Sequence, residues 1–381
     1  MKVLHVIDSL GFGGAERSLS FYLPELAKLG PRLEIACFQK ANPEVPTAGE
    51  IPIRYFPGPA AAAPKKKRAW LRQVCAGADL VHTHLNHSTL LAREALAGSP
   101  TPTITTLHNI WYGDAQMKTY PWPGRWKVGW MRWREKRTLG PGTFLLAVSQ
   151  SVADVFRQYA GLTPDRISII SNAIHPLFFQ EPAPKPLQTR PAGPVIAVGR
   201  LVPEKNHMLI LRALQGIPYP IRPKVEIFGQ GPLQAKLRNL AKDAQVDLSM
   251  PGITSDLHRL LPEKSLFINP SKLEGQALVV LEAMASGLPC LLSDIPPHKE
   301  VAGDCALYFP PDDADACGRA LQRLLDSPEL QLEMGTRARA RSEIARPATV
   351  ARRLFDYYHA VLAGKVPGAR SGDSGSPLPP P

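Results

Sequence analysis

The sequence predicts an α/β protein built from two doubly wound domains. Short, nearly continuous apolar runs alternate with helix-like segments from the first residue onward, and the same alternation restarts after a proline-rich stretch at 181–194. This pattern is typical of parallel sheets covered by helices on both faces. At 381 residues, the chain is also longer than one hydrophobic core usually supports. We therefore expect an N-terminal domain at 1–180, a linker at 181–194 and a C-terminal domain at 195–348.

The elements follow in order along the chain. The predicted strands are 3–7, 33–38, 51–56, 80–84, 103–108, 144–148 and 167–170, then 195–198, 225–228, 266–269, 291–293 and 307–309. The predicted helices are 15–29, 89–97, 151–159, 207–214, 233–244, 278–286 and 314–325. A C-terminal helix at 349–363 is expected to pack back on the first domain. The tail 365–381 consists largely of Gly, Ser and Pro and is expected to be disordered.

Composition narrows the class of protein. The net charge is +12, and residues 1–180 carry 21 Lys+Arg against 12 Asp+Glu, so most of the excess lies in the first domain. Such a surface suits a phosphorylated substrate, an anionic membrane or nucleic acid, but no stacked aromatic groove supports nucleic acid. The five cysteines form no CxxC pair, which argues against a zinc site or a disulfide framework. No apolar run approaches 18 residues, so we expect a cytoplasmic protein without a membrane span.

Two loops could hold phosphate groups. Gly13 and Gly14 open the first predicted helix, where backbone amides can approach an anion, although a tight turn without a ligand would use the same glycines. Arg200 and Lys205 follow the first strand of the second domain and could neutralise a diphosphate. An ordinary solvated loop is the alternative for this second pair.

The stretch 269–289 places two carboxylates in unusual positions. Glu282 lies inside an almost wholly apolar predicted helix, where a carboxylate is costly unless it is hydrogen-bonded. Its partner could be a pair of ligand hydroxyls, a structural arginine or a backbone amide. Glu274 precedes Gly275 near the start of the same helix and could cap it or orient a polar substrate.

Together these motifs resemble the retaining glycosyltransferases of family 4, also called group 1. The resemblance rests on GGAER near the start, GRLVPEK at 199–205, FGQGP at 228–232 and SKLEGQALVVLEAMASGLP at 271–289, with Glu274 and Glu282 matching the E-x7-E motif. It implies the GT-B fold, in which two Rossmann-like doubly wound domains face each other across a cleft. A nucleotide-sugar donor would be held mainly by the second domain and an acceptor by the first.

The resemblance also implies roles for single residues. Glu282 would accept hydrogen bonds from the ribose hydroxyls, and Glu274 from hydroxyls of the donor sugar. Arg200 and Lys205 would stabilise the leaving diphosphate.

Further donor contacts come from both domains. The Gly13–Gly14 turn would close over the diphosphate, and His108 matches the family's first-domain histidine at the donor sugar. Many relatives have an aromatic residue or proline after EG, where this chain has Gln276-Ala277. We assign Gln276, Ala277 and Leu278 to donor binding. The one DxD sequence, at Asp313, is typical of a helix cap, so we expect no essential metal and no cofactor beyond the nucleotide-sugar co-substrate.

Two further clusters allow alternatives. His82 and His84 alternate on one predicted strand, close to His87, and we favour lining of the cleft over a metal site. Five of the six tryptophans lie at 111–133 among basic residues, a composition that suits a lipid headgroup interface. A helix that buries these tryptophans in the first domain is the alternative.

The sequence therefore predicts a cytoplasmic, peripherally membrane-associated retaining glycosyltransferase. A UDP-sugar is the favoured donor, and a glycan or lipid-linked acceptor in cell-surface polysaccharide or glycolipid biosynthesis is the expected acceptor. The alternative is a catalytically silent sugar-nucleotide- or glycan-binding scaffold module. The charged residues of the motifs argue against that alternative, because a silent module has no physical reason to keep costly buried charge.

Overall fold

The chain folds into two compact units. The computed structural model describes residues 1–11, 13–40, 50–59, 61–110, 113, 117, 122–140, 142–179 and 193–366. The first unit comprises Met1–Ala173 and the segment that begins at Pro347, and the second comprises Ile174–Arg346. Within the described residues, no helix is both long and apolar enough to cross a lipid bilayer.

Seven parallel strands form the sheet of the first unit. They are β1 (Lys2–Ile7), β2 (Arg32–Cys37), β3 (Ile53–Tyr55), β4 (Leu80–His84), β5 (Thr103–Leu107), β6 (Thr143–Ala147) and β7 (Ile167–Ile169). Their order in the sheet is β3-β2-β1-β4-β5-β6-β7. The order reverses between β1 and β4, and ligands of doubly wound sheets bind beyond the carboxyl ends of strands at such a reversal.

Helices cover both faces of this sheet. They are α1 (Gly14–Ala27), α2 (Pro64–Cys75), α3 (Asn86–Ala95), α4 (Trp122–Arg137) and α5 (Gln150–Ala160), joined later in the chain by α13 (Pro347–Leu362). Leu23 of α1 and Leu354 of α13 share one buried cluster with the sheet. Leu71 of α2 and Leu91 of α3 belong to a second cluster on the opposite face. The C-terminal helix thus completes the core of the first unit.

Six parallel strands form the sheet of the second unit, in the order β10-β9-β8-β11-β12-β13. They are β8 (Val195–Val198), β9 (Val225–Phe228), β10 (Leu248–Gly252), β11 (Leu266–Asn269), β12 (Cys290–Ser293) and β13 (Ala306–Phe309). The helices are α6 (Met208–Gln215), α7 (Gln234–Asp243), α8 (Leu257–Leu260), α9 (Leu278–Ala285), α10 (Pro296–Ala302), α11 (Ala314–Leu325) and α12 (Pro328–Arg341). Here the order reverses between β8 and β11, so the loops after these two strands occupy the expected ligand position.

The predicted fold class is confirmed, and every predicted strand overlaps an observed one. Strand β10 was not predicted because Pro251 interrupts it; as an edge strand, β10 tolerates a missing backbone donor. The structure divides the chain after Ala173 rather than at 180, because Ile174 and Phe178 are buried in the core of the second unit. Residues 181–192 of the predicted linker and 367–381 of the predicted tail lie outside the described residues.

Candidate donor site

An ion pair joins the loops that follow β8 and β11. Lys205 Nζ lies 2.5 Å from Glu274 Oε1, and Glu274 is only 9% exposed. Burial alone would raise the pKa of Glu274, but the charge and hydrogen bond of Lys205, aided by a hydrogen bond from Ser271, more than offset this effect and lower the pKa. Glu274 is therefore an ionised carboxylate at neutral pH, held beside a cation, and does not serve as a helix cap.

An asparagine in the left-handed backbone conformation holds the Lys205 turn in place. Asn206 has a φ of 54°, a conformation that asparagine tolerates better than most residues. Its Nδ2 donates to the carbonyl oxygens of Pro270 at 3.2 Å and Pro311 at 2.8 Å. These bonds tie the turn to the loop after β11, where Glu274 lies. Sequence analysis missed Asn206, although its position directly after the EK pair was a usable signal.

Two glycines bring the loop after β9 against the Arg200 loop. A Cβ atom on Gly231 would lie 2.5 Å from the carbonyl oxygen of Leu201, and one on Gly229 would overlap the carbonyl oxygen of Gly199. Leu201 N donates to Gln230 O at 2.9 Å across the same contact. The FGQGP motif therefore serves a close approach of two backbones, which sets the course of the loop that carries Arg200. Arg200 itself is exposed.

The second glutamate of the E-x7-E motif lies inside helix α9. Glu282 is 3% exposed among apolar neighbours such as Leu281 and Ala283. Ala277 is the N-cap residue of α9 and provides no side-chain hydrogen bond to the helix. Ala277 is buried, whereas the adjacent Gln276 and Leu278 are partly exposed. The roles that we assign to these four residues stay predictions.

A buried histidine that sequence analysis missed lies beside this site. His298 of α10 is 0% exposed, and its Nδ1 lies 2.9 Å from Ser293 O. Burial lowers the pKa of His298, while the negative charge of Glu274 opposes the shift. His298 therefore adds a neutral imidazole to the surroundings of Glu274. It directly follows the Pro296–Pro297 dipeptide.

In the first unit, a carboxyl group lies over the glycine-rich turn. Gly13 is the N-cap residue of α1, and the Glu16 carboxylate lies so close that a Cβ on Gly13 would overlap it. Burial, with a smaller contribution from Asp8, raises the pKa of Glu16, and hydrogen bonds to its own backbone and to Ser9 oppose the shift. Closure of the Gly13–Gly14 turn over a diphosphate stays a prediction.

His108 follows β5 and belongs to a cluster of histidines at the reversal between β1 and β4. Its Nε2 lies 3.5 Å from His84 Nδ1, and its Nδ1 is buried. Burial lowers the pKa of His108 to about 4, although a hydrogen bond with Asn172 opposes the shift. His82 and His84 are 0% and 2% exposed, so the expectation that they line an open cleft is wrong. They point to the same side of β4, as predicted, but α13 covers that side with Tyr358, which lies 2.6 Å from His82 Nδ1.

Helix α4 presents a row of tryptophans to solvent. Trp122, Trp126, Trp130 and Trp133 are 72%, 68%, 55% and 55% exposed. At about 100° per residue all four fall within an arc of about 80° on the helix, and the buried Glu135 lies on the opposite side. The alternative that this segment buries its tryptophans is wrong for these four, and Trp111 lies outside the described residues.

Two family models match the chain. Residues 12–176 match Glycosyltransferase Family 4, and residues 188–341 match Glycosyl transferases group 1. The MMP alpha-(1->4)-mannosyltransferase of Mycolicibacterium hassiacum is 28% identical over 304 residues, which are 75% of this chain and 71% of that protein. The putative glycosyltransferase EpsF of Bacillus subtilis is 25% identical over 325 residues, which are 79% of this chain and 81% of that protein.

A solved structure shares the fold. HepE from Anabaena, crystallised in complex with UDP, superimposes with a TM-score of 0.77 at 18% identity over 94% of this chain and 100% of that one. The glycosyltransferase WaaG, involved in lipopolysaccharide biosynthesis, gives a TM-score of 0.72 at 17% identity over 93% of this chain and 99% of that one. The two family models cover the N-terminal and C-terminal parts of the chain in turn, and the E-x7-E glutamates lie on α9 and on the loop before it. The chain therefore belongs to the family 4, or group 1, glycosyltransferases of the GT-B fold.

Proposed function

We propose that this glycosyltransferase is a retaining enzyme that transfers a sugar from a nucleotide-sugar, preferably a UDP-sugar, to a glycan or lipid-linked acceptor. The acceptor would belong to cell-surface polysaccharide or glycolipid biosynthesis. The observation that carries the proposal is the ion pair between the buried Glu274 and the partly exposed Lys205, at the sheet position where doubly wound folds bind ligands. Glu282 is buried in the helix that follows.

The charges of this site suit departure of a diphosphate. Transfer from a nucleotide sugar requires stabilisation of the negative charge that develops on the leaving group. Lys205 supplies one cation at the turn, and Arg200, which is exposed, supplies a second that a diphosphate can recruit from solvent. We propose that these cations make a divalent metal unnecessary. Asp313, the first residue of the DxD sequence, is already engaged as a helix cap, since its Oδ1 accepts from Ala316 N at 2.8 Å.

The carboxylates suit recognition of hydroxyl groups. Glu274 is ionised and can accept hydrogen bonds from the donor sugar, and we assign Glu282 to the ribose. His108 of the first unit is assigned to the donor sugar by the resemblance to the family. A UDP-sugar is supported by HepE, which was crystallised with UDP-glucose, and by a 27% identical Escherichia coli relative named a UDP-Gal-dependent galactosyltransferase.

Turnover with a panel of nucleotide sugars tests this proposal. Purified protein is incubated with UDP- and GDP-sugars and a membrane extract as acceptor source, and release of nucleoside diphosphate is measured with and without EDTA. We expect release with a UDP-sugar that EDTA does not reduce, and a loss of at least about tenfold in Glu274→Gln, the cost of one charge-assisted hydrogen bond. Glu329→Gln, at an exposed position of α12, is the matched control. Absence of release with every donor, or full activity in Glu274→Gln, would contradict the proposal.

We further propose that α4 binds an anionic membrane at the cytoplasmic face. The four exposed tryptophans suit the headgroup level, where amphipathic rings are stable. Exposed cations, including Arg125 and Arg137, flank the tryptophan row. Arg134 of α4 and Arg68 of α2 both bind Glu94, at 2.6 and 3.0 Å, and thereby connect the basic run of α2 to the same surface.

Vesicle sedimentation tests the membrane proposal. We expect the protein to bind phosphatidylglycerol vesicles, bind phosphatidylcholine vesicles weakly, and dissociate as salt rises. The double variant Trp126→Ser, Trp130→Ser should lose binding, whereas Tyr219→Ser, which removes a 72% exposed ring from the second unit, should not. Equal binding to both lipids, or binding unchanged in the double variant, would refute a role for α4.

A further inference from the structure

Three imidazoles form a hydrogen-bonded series that ends at His108. His5 Nδ1 lies 3.1 Å from His84 Nε2, and His84 Nδ1 lies 3.5 Å from His108 Nε2. His5 lies on β1 and His84 ends β4, so the series crosses the point where the strand order reverses. The ring planes of His5 and His84 are within 11° of parallel, with centroids 5.4 Å apart. His108 is therefore the last member of a series anchored in the core of the first unit.

All members of the series are neutral. Burial lowers the pKa of His5 to about 3 and that of His108 to about 4, and it lowers the pKa of His84 well below its usual value. A neutral imidazole has one N–H donor and one acceptor nitrogen. If His5 donates from Nδ1 to His84 Nε2, then His84 carries its proton on Nδ1 and donates it to His108 Nε2. His108 then carries its proton on Nδ1 as well. If the direction is reversed, all three carry the proton on Nε2.

A bound metal ion is a weaker explanation of this cluster. The ligand atoms of His5, His82 and His84 do lie within 4.8 Å of one another. However, His82 Nδ1 already faces Tyr358 Oη at 2.6 Å, and its Nε2 faces Thr106 Oγ1 at 2.7 Å. An ion would have to break one of these bonds. The three imidazoles also bring no negative charge, so a dication buried among them would be uncompensated.

We propose that His84 is a positioning residue for His108: the series His5–His84–His108 fixes the ring orientation of His108 and holds all three imidazoles in the same tautomer. The functional consequence rests on the proposed role of His108 at the donor sugar. In a fixed tautomer the buried Nδ1 of His108 is either always a donor or always an acceptor, so the ring keeps one orientation beside the proposed donor. His84 itself touches no substrate in this scheme and acts only through His108.

Two substitutions at one position separate the contacts of His84. The amide of asparagine lies near the place of the imidazole Nδ1, so His84→Asn can keep the contact with His108. The amide of glutamine reaches the place of Nε2, so His84→Gln can keep the contact with His5 and loses the one with His108. We expect kcat to fall roughly tenfold in His84→Gln, as for loss of one hydrogen bond, with an unchanged KM for the donor, and His84→Asn to retain most of the activity. His359→Gln, at an exposed position of α13, is the control.

Nitrogen-15 NMR of histidine-labelled wild-type protein identifies the tautomers independently of any activity assay. We expect His5, His84 and His108 to carry their protons on the same type of ring nitrogen. Mixed tautomers, equal losses of kcat in both His84 variants, or stoichiometric Zn²⁺ binding that His84→Gln abolishes would each overturn the inference. Full activity in His108→Gln would instead refute the proposed role of His108 and leave the tautomer result standing on its own.

Discussion

Mild acidification should destabilise the first unit. His5, His82, His84 and His108 are buried there as neutral imidazoles with lowered pKa values. In the unfolded chain their pKa returns to about 6.5, so below that pH the unfolded state binds more protons than the folded state. This difference in proton binding does not lower the free energy of unfolding above pH 6.5. It lowers that free energy increasingly as pH falls toward the pKa values of His5 and His108 in the folded protein, about 3 and 4.

The magnitude follows from the number of imidazoles. Each protonation difference costs about 1.4 kcal/mol per pH unit, so His5 and His108, with pKa values of about 3 and 4, each cost about 2 kcal/mol at pH 5, or about 4 kcal/mol together. The pKa values of His82 and His84 are lowered as well and shift the stability in the same direction. A free energy of unfolding of about 5 to 15 kcal/mol is typical, so His5 and His108 alone would remove about a quarter or more of the stability. Desolvation raises the pKa values of Glu34 and Glu94, but neighbouring Lys and Arg side chains more than offset this and lower both. These two carboxylates therefore affect stability separately, and only below about pH 4.5.

Chemical unfolding at a series of pH values measures this effect. All six tryptophans lie between Trp70 and Trp133, so tryptophan fluorescence reports on the first unit alone. We expect the free energy of unfolding to fall as pH decreases from 6.5 to 5, with a slope that reaches about two protons or more near pH 5. His5→Gln should remove one proton from the slope, and the exposed His359→Gln should change it little. A free energy that is flat from pH 7 to 5 would refute the buried neutral cluster.

Four further predictions concern the second unit. In Lys205→Met, the pKa of Glu274 should rise, because burial remains and the cation is gone. The acid side of the pH profile of kcat/KM should therefore shift to higher pH. Gly231→Ala should cost about 1 to 3 kcal/mol of stability, since its Cβ meets the Leu201 backbone, and should weaken UDP binding measured by calorimetry. Asn206→Gly should lose about 1 to 3 kcal/mol of stability in urea unfolding, because it keeps the left-handed turn but not the two hydrogen bonds. Asp313→Ala should cost about 1 kcal/mol of stability with unchanged turnover, because the carboxylate caps α11.

Each of these four predictions has a control or a contradicting result. Gly216→Ala is matched to Gly231→Ala, because its Cβ would make only an ordinary 3.6 Å contact. An unshifted pH profile in Lys205→Met would show that Lys205 does not control the pKa of Glu274. Unchanged urea stability in Asn206→Gly would show that the two carbonyl contacts contribute nothing. Turnover lost with Asp313→Ala and restored by a divalent cation would contradict a metal-independent reaction.

Much of the fold could be predicted because apolar runs fix strands that are buried on both sides. The predicted strand 3–7 is apolar except for His5, the predicted strand 266–269 is apolar except for its last residue, Asn269, and sequence alone placed both. Helix α2 was missed because its sequence shows a run of four cations, yet Lys67 is buried and its ammonium lies over the Phe38 ring at 5.3 Å. A long side chain can bury its stem and hold its charge at an aromatic face, and a charge pattern does not show this.

The candidate site was predicted in part for a similar reason. The charged motif residues could be identified in the sequence because a carboxylate such as Glu282 is unusual within an apolar run. The partners that position them were not visible, since Asn206 reaches Pro311 over 105 positions of sequence. His84 was assigned to a cleft because strand alternation gives the side on which a residue lies but not what covers that side. Tyr358, 276 positions from His82, provides the cover.

UDP binding to the wild-type protein and to Glu282→Ala, measured by isothermal titration calorimetry, tests the central claim most directly. The account predicts that one UDP binds wild-type protein without added metal, and that Glu282→Ala weakens binding by about tenfold or more, as for loss of a charge-assisted hydrogen bond. Glu329→Ala, which removes an exposed carboxylate from α12, should bind as the wild type does. UDP binding of equal strength in Glu282→Ala, in a variant that retains its thermal stability, would contradict the assignment of this site to the donor.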